Sequence, residues 1–458
     1  MKLLTNISLY AGVNIFAKLF VVLAMPIIAH NLTVEEYGSY TIILSLTMLS
    51  SSFFLMGSEH SLNFYFHKYK SKKNKLLVIN TLLVFITAAL LVFLPLIYVV
   101  LNDRIDYLAT ILLWVFVSVI YLYFIVVMRA HFDVKNFALL EVFRSIVYFF
   151  AVYLFVDKFQ NGLDGAINSN LISYVLSMIL ILYINIKKIK LYFSFTFLIK
   201  LLSFGAPFIL SSLILWASTQ SDRYFLMYFK DDYILGIYGF SLSIASIFIL
   251  IKTSIKNAVD PYIMKLHHCR EKKLKRIISN LYTVSLFLFS FMFLITSFFM
   301  EDITLLIGGD KFIDSAAYTP YVILIVLITT VNQYFIYGIN FNYRNKLIAK
   351  YLIYSLIVNL ILSVILINIL EVAGIILANI ISSIVYSYFL YRESNKLYPI
   401  EYFRFDNLKI VFSVLILFFV NFKYISYNDH LSHALLILLF FLINKKVYLN
   451  FKSTYALN

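Results

Sequence analysis

The sequence predicts an all-α polytopic membrane protein with 12 to 14 transmembrane helices. Three observations predict it. Apolar stretches recur from Asn6 to about Asn444, each near the roughly 20 residues that a helix needs to cross hydrocarbon. The joins between them are mostly too short to form a catalytic domain. Lysine and arginine concentrate in alternate joins. Of 458 residues, 62% are hydrophobic and the mean hydropathy is +0.89, whereas a soluble chain is nearer half apolar. The excess is spread along the whole chain, which excludes an anchored soluble enzyme.

The expected spans, in order, are 8–29, 38–59, 76–100, 107–128, 138–156, 164–184, 203–229, 234–256, 277–300, 317–340, 350–371 and 373–391. Met1-Lys2 precedes an apolar run from Ser8 to Ala29. That run is too long for a signal-peptide core and lacks a small-residue cleavage site, so it reads as an uncleaved first span. Two weaker stretches, 409–424 and 431–444, are short, and Lys423 interrupts the first. They either cross the membrane or form a re-entrant pair.

Charge sets the expected orientation. With the N-terminus inside, 29 of the 38 Lys and Arg fall at inner joins, five at outer joins and four within spans. Retained cations mark the cytoplasmic side, so the N-terminus is expected in the cytoplasm. The same bias accounts for the net charge of +15 without nucleic acid. Basic joins face anionic lipid heads, each charge contributing roughly 1 kcal/mol near the surface. The single cysteine, Cys269, has no internal disulfide partner and lies in a basic loop with His267 and His268. Adjacent residues in such a loop do not have the spacing of a metal site, and no cofactor is expected. Aromatic residues, 18% of the chain, suit the two membrane interfaces and packing against lipid.

A faint internal repeat accompanies the spans. Glu35-Glu36-Tyr37-Gly38-Ser39-Tyr40 enters the second span, and Asp231-Asp232-Tyr233-Ile234-Leu235-Gly236-Ile237-Tyr238 enters the eighth. Each has an acidic pair, then Gly-x-Tyr, and each following helix ends in a basic loop. Six spans separate the copies, so they share an orientation, as parallel repeats forming two bundles do. The expected organisation is a six-helix lobe over 1–190, a second over 191–392, and an extension over 393–458.

Several motifs resemble the Wzx-type O-antigen flippases. They are Ala29-x-x-Leu32-Thr33-x-Glu35-Glu36-Tyr37-Gly38, Phe204-Gly205-Ala206-Pro207, Ser221-Asp222-Arg223-Tyr224-Phe225-Leu226, and Ile307-Gly308-Gly309-Asp310-Lys311-Phe312 with Ala316-Ala317 and Pro320. Asn359, Gly374-Ile375 and Ser382-Ser383 resemble the family's eleventh and twelfth spans. The resemblance covers roughly residues 8–391. That family shares a superfamily with the MATE multidrug exporters and the MurJ lipid II flippases. The resemblance implies two six-helix lobes in a V around a cavity that opens alternately to either side. It implies an undecaprenyl-diphosphate-linked glycan as cargo, moved outward across the bacterial inner membrane for O-antigen or capsule. Membrane lipids, a polysaccharide polymerase and chain-length proteins are the partners it implies.

Charges inside spans are expensive, so each is a candidate site residue. Lys18 sits midway along the first span, with Asn14 four residues earlier on the same face. It either contacts cargo or holds an internal ion pair. Ser211, Ser218 and Asp222, with Ser212, Thr219 and Arg223 one step round, form a polar stripe in span seven. Such a stripe faces a cavity or protein rather than lipid. Arg223 suits a phosphate because its fork donates bidentate bonds; the alternative is a structural Asp222–Arg223 network. Lys252 and Lys256 share a stripe with Ser241, Ala245 and Phe248. They either meet cargo or snorkel to the inner interface. Glu59, at the inner end of span two, is either an ion-coupling carboxylate or a lysine's partner, and Asp222 is a second coupling candidate. Arg129, Glu141 and Arg144 read as topology signals at an inner join. No GxxxxGK[ST] is present, so energy is expected from an ion gradient, the membrane potential or removal of product. Three functions compete. They are a lipid-linked oligosaccharide transporter, a MATE-like multidrug or cation antiporter, and a membrane polymerase or glycosyltransferase. The basic surplus within the spans favours an anionic cargo.

Overall fold

A computed structural model describes residues 2–101, 107–185, 192–424, 429–445 and 447. Arg104, Lys187, Lys188, Lys190, Lys446 and Lys452 of the charge pattern, and the Asn14 and Lys423 side chains, lie outside what is described. The described residues are mostly helical, without a strand. Among the described residues ten helical segments are long and apolar enough to cross a membrane, α2 and α3 below counting as one, which makes this a multi-pass membrane protein. The chain divides into two compact units, Met1–Tyr224 and Phe225–Asn458.

The first unit contains α1 (Lys2–Asn31), α2 (Val34–Phe54), α3 (Ser58–Lys68), α4 (Lys72–Leu101), α5 (Leu108–Ala130), α6 (Val134–Val152) and α7 (Gly162–Asn185), and α8 (Phe195–Phe229) as far as Tyr224. Helix α5 is apolar on every face and buried over most of its length. It packs against α2, α3, α4, α6 and α7, as an all-round hydrophobic helix must. Its Tyr123 hydroxyl donates to the Ile79 carbonyl of α4 at 2.6 Å.

The acidic pairs of the internal repeat are helix starts. Thr33 Oγ1 accepts from the Glu36 N–H at 3.2 Å, and Glu36 Oε2 accepts from the Thr33 N–H at 2.9 Å. This capping box satisfies two of the donors left unpaired at a helix N-terminus. In the second copy Asp231 caps α9, accepting from the Ile234 N–H at 2.8 Å. The paired tyrosines, Tyr40 and Tyr238, are both buried. Tyr40 meets the Tyr148 hydroxyl at 3.1 Å and accepts from Asn170 Nδ2 at 2.9 Å.

The second expected span is broken. Helix α2 ends at Phe54 and α3 begins at Ser58, with Met56 and Gly57 at φ 47° and 64°. The elbow is docked on the start of α8. Ser61 donates to the Leu201 carbonyl at 2.7 Å, His60 stacks on Phe208 at 3.9 Å, and Phe64 stacks on Phe204 at 4.6 Å. A Cβ on Gly57 would run into the Gly205 carbonyl, and one on Gly205 would meet Ser61 Oγ at 2.7 Å. The Phe204-Gly205-Ala206-Pro207 motif therefore allows two backbones to touch. Gly57→Ala combines a left-handed backbone with a backbone clash. It is expected to destabilise the protein by about 3 kcal/mol, read as a lower melting temperature of the purified protein.

The second unit contains α9 (Asp232–His268), α10 (Leu274–Phe298), α11 (Met300–Gly308), a 3₁₀ turn at Asp310–Ala317, α12 (Thr319–Phe341), α13 (Lys346–Leu397), α14 (Phe405–Tyr424) and α15 (His430–Ile443). Helix α12 packs against α9, α10 and α13. The 52 residues of α13 are not one rod, because Glu371 leaves helical geometry at φ 52°, ψ −127°. Ser355 donates to the Ser382 carbonyl at 2.8 Å, and Asn359 Nδ2 donates to Asn379 Oδ1 at 2.9 Å. In a straight helix those serines would stand about 40 Å apart at 1.5 Å per residue. The two arms therefore fold back on each other as an antiparallel pair. Gly374 leaves no room for a Cβ against the Leu366 carbonyl. In the next motif Gly308 lies against Phe240 and Phe312, whose rings stack at 4.4 Å.

Three expectations about the joins change. Helix α9 runs twelve residues past Lys256, so His267 is helical and stacks on Phe341 at 3.9 Å rather than sitting in a loop. Glu59 opens α3 instead of closing span two. The long join before span ten is filled by α11 and the 3₁₀ turn.

Candidate functional site

In the first unit, α1 packs against α6 and brings Lys18 near Glu141 and Arg144, close enough to interact electrostatically with both. Glu141 and Arg144 form an ion pair at 3.8 Å, with side chains 15% and 18% exposed. Tyr121 donates its hydroxyl to Glu141 Oε1 at 3.1 Å, and the guanidinium lies 5.0 Å from the Tyr174 ring centroid. These two charges, read above as topology signals, are thus embedded among α5, α6 and α7. Sequence held a signal for them: opposite charges three apart inside an apolar run. Lys18 itself remains exposed. Charged groups midway along a span almost always face the bundle interior or a water-filled cavity rather than lipid.

The polar stripe of α8 is similar. Ser211 and Thr219 are exposed, and Ser212 and Ser218 are half-buried. Trp216 Nε1 donates to the Ser45 carbonyl at 3.1 Å, and the Tyr224 hydroxyl donates to Ser45 Oγ at 3.2 Å, which docks this stretch on α2. Asp222 is buried and accepts from the Arg223 N–H at 2.9 Å. Arg223 Nε and Nη1 are buried without a hydrogen-bond partner. Glu59 pairs with Arg129 at 3.7 Å, so its partner is an arginine rather than a lysine.

In the second unit, Lys252 donates to Thr329 Oγ1 at 2.7 Å. Lys256 and Asp260 follow at one-helical-turn intervals, interacting electrostatically. Tyr337 donates to Asp260 Oδ1 at 2.6 Å. Lys252, Lys256 and Asp260 thus make a charged column along α9 beside α12. Asp260 is missing from the sequence reading, although its spacing continues the lysine stripe. Ser241, Ala245 and Phe248 of that stripe are buried. Among the described residues no cluster of His, Cys, Asp and Glu has metal-binding geometry.

Residues 3–267 match the polysaccharide biosynthesis protein family. The chain belongs to that family. As a polysaccharide biosynthesis protein it also matches the MatE family over residues 207–365. It is 24% identical to the Lsg locus putative protein 1 of Haemophilus influenzae over 420 residues, which cover 86% of this chain and 99% of that one. Its fold resembles the lipid II flippase MurJ in an inward closed conformation, with a TM-score of 0.75, 16% identity, and coverage of 97% and 99%. It also resembles an inward-facing multidrug resistance MATE transporter of the MOP superfamily, with a TM-score of 0.65, 14% identity, and coverage of 83% and 95%. A Vibrio cholerae MATE transporter follows at a TM-score of 0.61, 12% identity, and coverage of 86% and 97%. The polysaccharide biosynthesis protein thus has the fold of MurJ and the MATE transporters.

Proposed function

We propose that this protein flips polyprenyl-diphosphate-linked oligosaccharide repeat units across the bacterial plasma membrane, from the cytoplasmic to the outer leaflet, for O-antigen or capsule assembly. The observation that carries the reading is the balance of charge within the helices. Glu141 is engaged by Arg144, and Glu59 by Arg129. Lys18 stays exposed in mid-helix, and two Arg223 nitrogens are buried without partners. Lys252 meets only the neutral hydroxyl of Thr329 among its hydrogen bonds. A diphosphate is the kind of ligand this cationic surplus suits, since Arg and Lys donate charge-assisted bonds to phosphate oxygens. A MATE-like cation exporter requires the opposite sign. A polymerase or glycosyltransferase requires a larger extramembrane loop, and α11 with its 3₁₀ turn occupies the join before α12. The orientation with a cytoplasmic N-terminus and the two six-helix lobes belong to the same proposal. So do Glu59 and Asp222 as coupling carboxylates, and the polymerase and chain-length proteins as partners.

Deleting the gene in a strain with no second flippase is expected to abolish surface polymer, while lipid-linked repeat units accumulate on the cytoplasmic face. Surface polymer by immunoblot and lipid-linked glycan protected from added glycosidase in right-side-out vesicles are the readouts. Normal polymer in that strain refutes the reading. Unchanged polymer with raised sensitivity to cationic drugs favours the antiporter instead.

A further inference from the structure

A cavity of about 920 Å³ opens in the second unit where α10, the end of α13 and the join before α14 meet. Lys275, Arg276 and Arg404 line it, together with Tyr391, Tyr402 and Phe403; the lining carboxylate is Glu401. We infer that this cavity binds the phosphate headgroup of an anionic membrane phospholipid.

The join carrying Arg404 is held in place. Ser279 donates to the Glu401 carbonyl at 2.6 Å, Tyr402 donates to the Tyr334 carbonyl at 2.8 Å, and Asn407 Nδ2 donates to the Tyr402 carbonyl at 2.6 Å. Arg404 Nη1 donates to Asn280 Oδ1 at 3.0 Å. That bond orients the guanidinium, and a fork of five donors retains capacity for an oxyanion. The cavity thus has an aimed arginine, two further cations and a rigid rim.

Its surroundings point to a lipid rather than a soluble anion. Phe403 on the rim is exposed, and α14 continues from Phe405 with exposed Leu408, Phe412 and Leu415. A headgroup in the cavity would place its chains along that apolar helix. The rings do not make a slot for a nucleotide base. Tyr391 meets Phe403 edge-on at 4.9 Å and 84°, and Tyr402 at 6.4 Å and 74°, so the aromatic faces are used on one another. The charge pattern assigns this end of the unit to the cytoplasm, whose leaflet carries anionic lipid. The site rests on membrane residence and on the orientation read from the charge pattern, and survives even if the cargo proposed above is wrong.

The test uses the full-length protein purified in detergent. Native mass spectrometry and melting temperature are read with phosphatidylglycerol, with phosphatidylcholine, and with inorganic phosphate. Phosphatidylglycerol is expected to bind and stabilise, and phosphatidylcholine is not. Three charges at roughly 1 kcal/mol each correspond to about a hundredfold. Lys275→Gln/Arg276→Gln/Arg404→Gln is therefore expected to weaken phosphatidylglycerol binding by about that factor. Arg404→Lys, which keeps the charge, is expected to weaken it less than about fivefold. Equal effects of the two lipids overturn the proposal, as does unchanged phosphatidylglycerol binding in the triple variant. Stabilisation by inorganic phosphate equal to that by phosphatidylglycerol reassigns the cavity to a soluble phosphate and also overturns it. If the triple variant does not fold, the wild-type preference for phosphatidylglycerol and its loss at rising ionic strength decide; a preference that ignores salt counts against a charge-built site.

Discussion

Glu141→Ala is expected to deplete the protein from the membrane, whereas Lys18→Ala is expected to leave it there and stop flipping. The two residues interact, yet their settings differ. Glu141 is half-buried and holds Arg144 at 3.8 Å and the Tyr121 hydroxyl at 3.1 Å. Removing it leaves a half-buried guanidinium without its anion, and the cost of breaking a fully buried pair, about 3–5 kcal/mol, is the upper bound. Lys18 is exposed, and its loss leaves the Glu141–Arg144 pair intact. Little stability is therefore at stake, while a mid-helix charge disappears. The measurements are membrane abundance by immunoblot and surface polymer in complemented deletion cells. Polymer is expected to fall at least tenfold for Lys18→Ala at near-normal abundance, and Lys18→Arg is expected to restore part of it. Should Lys18→Ala lose abundance as Glu141→Ala does, Lys18 is a structural counter-ion. Should it keep both abundance and polymer, it contacts no cargo.

The apolar runs told where helices form but not where they break. Hydropathy sees Leu55-Met56-Gly57 as part of one long run, yet the left-handed backbone at Met56 and Gly57 turns the chain there. The only local trace was a glycine followed by Ser58, Glu59 and His60. At Glu371 the reading separated two spans correctly, because one apolar run of that length exceeds what a bilayer requires. Helix ends were displaced for a similar reason. Lys256, Asn257 and Asp260 lower the hydropathy, so the apolar run ends twelve residues before α9 does and leaves Asp260 outside it. Glu141 and Arg144 were assigned to a join because charge usually marks one. Only packing of α6 against α1 and α7 shows them embedded. Conversely, several family motifs carry structure rather than cargo chemistry. Thr33 and Glu36 cap α2, Gly205 admits the elbow at Gly57, and Asn359 and Ser382 clasp the two arms of α13.

Replacing Arg223 by methionine is expected to raise thermal stability while lowering flipping at least tenfold. Its Nε and Nη1 are buried without hydrogen-bond partners. An unsatisfied buried donor costs about 1–3 kcal/mol, and more when charged. Methionine fills a similar volume with an adaptable apolar chain, so the fold is relieved of that cost. A group retained against the stability of its own fold is expected to serve a ligand, and a planar fork of donors matches a phosphate. Arg223→Lys separates charge from geometry. It keeps the cation but not the bidentate fork, so flipping is expected to recover only in part. The same logic predicts that Asp222, buried against the backbone of α8, tolerates asparagine better than alanine, since asparagine still offers an oxygen to the Arg223 N–H. Melting temperature of the purified variants and surface polymer in cells are read together. A lower melting temperature for Arg223→Met would place the guanidinium in a structural network. Undiminished polymer with a higher melting temperature would leave Arg223 with no part in handling the diphosphate.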